Sequence, residues 1–181
     1  MLVISNHLLT ATPLNVPADA VIRINVAWLK DRDALVKLLG ELVDYDVYLD
    51  YPQGRSKPPR PSISLEDTIT LVDRFPHIKH FAVSNVEDPE EIYKIRVQLP
   101  PHVGLVPKIE TKTGIDNLES IIQKIDAKYI MLDKEDLYID IDRDHELFME
   151  LIEQARQKAK ACGIDILELH GVIFHPYREN E

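Results

Sequence analysis

Apolar runs of strand length recur along the chain about every 25–35 residues, with helix-patterned segments between most of them. That alternation points to parallel βα architecture, because successive parallel strands need a long crossover and a helix is the usual one. The runs occupy 2–5, 21–26, 47–49, 80–83, 103–109, 129–132 and 164–169, and residues 171–174 extend the last run or form a short eighth. Leu35, Leu38, Leu39 and Leu42 make one helical stripe. Ser64-Leu65-Glu66-Asp67 resembles a capping box, and Asp88-Pro89-Glu90 supplies a cap, a first-turn proline and an acid for the dipole. A single helix is expected from the end of the fifth run to about Ile125, and an amphipathic one from about Arg143 to Ala161. Pro13 and Pro17 argue against a regular helix between the first two strands, and Asp133 to Asp136 reads as a turn.

Seven or eight parallel strands suggest a closed α/β sheet, a TIM (β/α) barrel, with an open doubly wound sheet as the fallback. The usual barrel takes about 250 residues, whereas this chain has 181. A small, compact or incomplete barrel in one domain, 1–181, is therefore expected, and an unclosed edge favours a homodimer. No apolar run approaches the roughly 20 residues of a membrane span, and the N-terminus lacks the pattern of a signal peptide. The single cysteine, Cys162, excludes an intramolecular disulfide, favours a cytoplasmic setting and reads as a packing residue. A net charge of −10 argues against a nucleic-acid partner. It also means that any anionic substrate needs local cations.

The carboxyl ends of parallel barrel strands form one ring, where chemistry is placed. At those ends stand Arg23 and Asn25, Asp50, Ser84-Asn85, Lys108 and Glu110, Asp136, then Glu168 and His170. Glu110 and Asp136 close successive runs, so they are expected side by side, as two oxygen ligands for Mg²⁺ or Mn²⁺. A 2-oxo acid would fill two open positions on such an ion, and a cation beside it would stabilise the developing enolate. Arg23, inside an apolar strand, suits that oxyanion; its blander role is a salt bridge to Asp50 or Glu110. Lys108 shares the strand face of Glu110, two residues away. The proline-rich loop 51–62 carries Arg55, Lys57 and Arg60 and reads as a solvated connector or an anion-binding flap. Trp28 reads as core or rim packing, and His170 with His175, five positions apart, as a surface tail rather than a second metal site.

Three motifs in order carry a resemblance: Arg23-Ile24-Asn25; Lys108-Ile109-Glu110-Thr111 followed by Gly114-Ile115 and Asn117-Leu118; and Glu135-Asp136-Leu137 with Asp140. Together, over roughly residues 20–141, they resemble the phosphoenolpyruvate/pyruvate-binding barrel superfamily, which includes pyruvate kinase, metal-dependent pyruvate aldolases and citrate lyase β-like enzymes. Ile-Glu-Thr with the later Gly-Ile is similar to the lyase branch. Lys108 and the stretch Ser84 to Asp88 look more like the kinase branch. The resemblance implies that Glu110 and Asp136 are the metal ligands and that Arg23 contacts the enolate or phosphoryl oxygens. It implies that Lys108 stabilises charge during transfer, and that Asn25 and Asp50 belong to the kinase branch's monovalent-cation site. With Arg55 of the loop, Asn25 and Asp50 complete the expected substrate-binding set. Ala27 and Tyr51 depart from the kinase pattern, Glu135 and Tyr138 replace two of its glycines, and no domain is inserted after Asp50. The expected activity is therefore a magnesium-dependent carbon–carbon lyase of the aldolase type, acting on a 2-oxo acid or a phosphoenolpyruvate-like ligand. A non-catalytic ligand-sensing or protein-interaction barrel is the alternative, and a pyruvate kinase-like phosphotransferase a lesser one.

Overall fold

The computed structural model describes residues 2–11, 17, 19–54 and 59–168. Among the described residues, seven parallel strands, each hydrogen-bonded to its neighbours in sequence order, make one sheet. They are β1 (Val3–Ser5), β2 (Val21–Asn25), β3 (Asp46–Tyr51), β4 (Ile78–Val83), β5 (Gly104–Ile109), β6 (Tyr129–Leu132) and β7 (Asp165–Glu168). The helices are α1 (Asn6–Ala11), α2 (Arg32–Glu41), α3 (Leu65–Val72), α4 (Pro89–Arg96), α5 (Lys112–Asp116), α6 (Leu118–Ile125), α7 (Lys134–Asp140) and α8 (His145–Ala161).

Strand periodicity sorts the side chains into two cores. Ile22, Ile24, Val47, Leu49, Phe81, Val83, Leu105, Ile109, Ile130 and Leu132 point outward and pack beneath the helices. Val21, Tyr48, Ala82, Val106 and Met131, joined by Val3, Tyr129 and Leu167, form a second cluster on the other face. That second cluster draws on every strand, and one contact within it requires the sheet to curl. The Tyr48 hydroxyl on β3 lies 3.8 Å from the Met131 sulfur on β6; in a flat sheet, strands three apart would stand roughly 14 Å from each other. The architecture is a curled, partial TIM-like barrel, and among the described residues no ladder joins β7 to β1.

Several local expectations are corrected. One helix was expected after β5; there are two, α5 and α6, with Asn117 ending one and preceding the other. The stretch from Asp133 to Asp136 is no turn but the start of α7, with Asp133 as its cap. A short helix, α1, does form ahead of the prolines. Of the two places expected for Trp28, core or rim, the core is excluded: it is 61% exposed at the end of a 3₁₀ turn, Val26–Trp28. Cys162 packs, half-buried, against the outer core at the end of α8. Ser64 and Asp88 cap α3 and α4 as their spacing requires. Arg55 and Lys57, His170 and His175, and the stretch 171–174 lie outside the described residues.

Candidate active site

The upper layer of the curled face is charged. Alternation along β2 puts Arg23 on the same face as Val21, and along β3 it puts Asp50 on that of Tyr48; Lys108 on β5 follows Val106 in the same way. Asp50 is fully buried. Its Oδ2 accepts hydrogen bonds from Arg23 Nε, at 2.9 Å, and from Arg23 Nη2. Its Oδ1 lies 3.6 Å from the Lys108 ammonium and accepts no hydrogen bond. Lys108 donates to Ser84 Oγ at 2.9 Å and stands 3.0 Å from Glu110 Oε1. That second contact is an ion pair without hydrogen-bond alignment, because Glu110 Oε1, in a residue 4% exposed, has no hydrogen-bond partner. A buried ammonium and a partly buried guanidinium thus face two buried carboxylates.

Burial works against the charges of Lys108, Arg23 and Glu110, and the neighbours decide the outcome. For Lys108, burial favours the neutral amine, but Asp50 and Glu110 outweigh it and leave its pKa above the ordinary value. Burial likewise opposes the Arg23 charge, and Asp50 overcomes it. Glu110 goes the other way. Burial raises its pKa, Lys108 only partly offsets that, and the charges of Asp133 and Asp136 push it further up. A buried acid with an unsatisfied oxygen and two acidic neighbours is a poor resting arrangement and a good cation site.

Glu110, Asp133 and Asp136 each offer a carboxylate oxygen, and these oxygens all lie within 4.8 Å of one another. Glu110 directly follows β5, and Asp133 directly follows β6. Asp136 sits in the first turn of α7, three residues after Asp133, a spacing that brings the two onto one side of the helix. The donor set is all oxygen, and with Glu110 Oε1 making no aligned hydrogen bond it fits a hard divalent ion. The expected pair, Glu110 and Asp136, is therefore brought together. Asp133 was missed, although it stands in the same acidic run.

The other expected residues fall as follows. Asn25 ends β2 and spends its side-chain oxygen on the backbone N–H of Ala27, 3.0 Å away, capping the 3₁₀ turn. Asp50 serves Arg23 and Lys108 from full burial. Asp140 accepts from the Lys112 backbone N–H at the start of α5, at 2.9 Å, so it braces the junction after Glu110. Tyr138 packs edge-on against Phe148 at 5.1 Å. Gly114 has a steric reason to be glycine: an added Cβ would lie 2.7 Å from the Val86 carbonyl oxygen.

No protein-family model matches the sequence, and no curated protein matches it either. Solved structures do. The citrate synthase SbnG superposes with a TM-score of 0.68 at 14% identity, over 93% of this chain and 76% of its own. An HpcH/HpaI aldolase from Desulfitobacterium hafniense DCB-2 gives 0.64 at 12% identity, over 82% and 67%. Macrophomate synthase gives 0.58 at 16%, over 83% and 62%, so the chain spans less than two thirds of that protein. These likenesses, at 12–16% identity, show that the chain shares the fold of these structures.

Proposed function

We propose that the chain is a metal-dependent carbon–carbon lyase of the aldolase type, acting on a 2-oxo acid or a related enolate-forming substrate. The observation that carries this reading is the convergence of the Glu110 and Asp136 carboxylates, beside the Lys108 ammonium, on a barrel fold shared with aldolases. Glu110 and Asp136 hold Mg²⁺ or Mn²⁺, which supplies Lewis acidity toward the 2-oxo group. Arg23 faces the enolate oxygen that develops as a bond at C3, the carbon beside the carbonyl, breaks, and Asp50 fixes the plane of its guanidinium. Lys108 adds a second positive charge to the same pocket, and burial in a water-poor lumen strengthens both. Asn25, at the end of β2, borders the substrate.

A second reading has its own support. Two donors of Arg23 are already engaged by Asp50, as in a structural pair, which suits a barrel retained for ligand sensing. Oxalate, a planar mimic of a pyruvate enolate, separates the two. With Mg²⁺ present, oxalate is expected to raise the melting temperature of the wild type, and Glu110→Gln to lose that shift. Absence of any shift in the wild type supports the non-catalytic module instead.

A further inference from the structure

The sequence motifs account for two metal ligands; the structure brings three carboxylates to one point. We propose that Asp133 is a ligand in its own right, giving the cation three anionic ligands, so that the site holds its metal tightly and favours weakly charged chelators over polyanions. The inference rests on the cation site proposed above and specifies what that site selects.

Geometry and charge carry it. A ligand oxygen of Asp133 lies within 4.8 Å of those of both Glu110 and Asp136. Asp133 uses Oδ1 to accept the backbone N–H of Asp136 at 3.3 Å, a long bond, and a carboxylate has a second oxygen to give. A buried acceptor in the same cluster, Glu110 Oε1, makes no aligned hydrogen bond and has only the ion pair to Lys108 at 3.0 Å, so it keeps capacity for a further cation. The close ion pairs of the layer's two cations go to Asp50 and Glu110, and Arg23 acts on Asp133 only through its longer-range field. Arg23 donates to Asp50, and Lys108 stands between Asp50 and Glu110. Each added carboxylate strengthens the hold on a hard dication and makes the loaded site less positive toward an incoming anion. Asp133 thus trades anion affinity for metal affinity, and the ligand best matched to the loaded site is a monoanionic 2-oxo acid rather than a dianion or a phosphate ester.

Substitution separates the ligand role from the cap. Asn and Ser both cap helices as well as Asp does, so Asp133→Asn removes the charge and Asp133→Ser removes the ligand arm, while α7 keeps its start. Mn²⁺ binding is read by the loss of the free-ion resonance signal, with melting curves taken in chelator to show that both variants fold. Each is expected to bind Mn²⁺ at least about tenfold more weakly than the wild type. At saturating Mn²⁺, oxalate is expected to bind Asp133→Asn more tightly than the wild type, a shift in the opposite direction. If both variants bind Mn²⁺ as the wild type does while Glu110→Gln does not, Asp133 is no ligand and this inference falls while the two-ligand site stands. Oxalate affinity unchanged or reduced in Asp133→Asn refutes the charge trade. If the wild type binds no Mn²⁺, or Glu110→Gln binds it equally, the proposed site fails and this inference with it.

Discussion

Glu110 concentrates the conflict between folding and function in one side chain. Its environment disfavours the charge, by burial first and then by Asp133 and Asp136, so its folded pKa lies above the ordinary carboxylate value. A group raised in this way contributes stability in acid, below its unfolded pKa, and that contribution is lost as pH rises through the folded value. In chelator at neutral pH, Glu110→Gln is therefore expected to be more stable than the wild type. The gain is on the order of 1 kcal/mol, the scale of one unsatisfied buried polar group, and it should shrink toward zero near pH 4. Denaturant melts at the two pH values check it, and a variant less stable at neutral pH would show that the contact with Lys108 dominates. The pair Lys108 and Glu110 was legible in the sequence because two positions along a strand share a face. Asp133 was not. Which acid of Asp133-Lys134-Glu135-Asp136 turns inward depends on whether the chain is already helical there, and the run alone does not fix that phase.

At the scale of elements, the junction after β5 aims the site. Thr111 caps α5 by accepting from Gly114, Asp140 of α7 takes the N–H of Lys112, and Val86 donates its N–H to the Lys108 carbonyl. Gly114→Ala would press a methyl group against the Val86 carbonyl oxygen, an atom of backbone that cannot swing aside. We expect a loss of about 1–3 kcal/mol, the range for overpacking, together with weaker Mn²⁺ binding because β5 must shift. A stable variant with unchanged metal affinity would mean that the junction does not position Glu110. Strand and helix order was readable from periodicity, since each βα unit repeats the same two signals. The break at Asn117 was not, because the amphipathic pattern of Leu118, Ile121, Ile122 and Ile125 says nothing of what happens one residue before it.

Across the whole molecule, the curled sheet explains why a chain with a net charge of −10 can bury Lys108 and half-bury Arg23 on its inner face. The lumen's middle layer, Tyr48, Ala82, Val106 and Met131, is apolar and seals the charged layer from below. Parallel strands and their succession were legible; the curl was not, because it lies in contacts such as Tyr48 with Met131 that no local pattern encodes. The sheet leaves β1 and β7 unjoined among the described residues. We expect the chain to be a homodimer at micromolar concentration by sedimentation equilibrium; a monomer there would remove the need for a partner at that edge.

The central claim is that Glu110 and Asp136 share one cation within the mouth of the barrel. Anomalous scattering from crystals soaked in Mn²⁺ tests it most directly. The account expects a single strong peak about 2.2 Å from a carboxylate oxygen of each residue, on the side that faces Lys108 and Arg23. A peak bound elsewhere, or full density for both side chains with no ion between them at millimolar Mn²⁺, would contradict it.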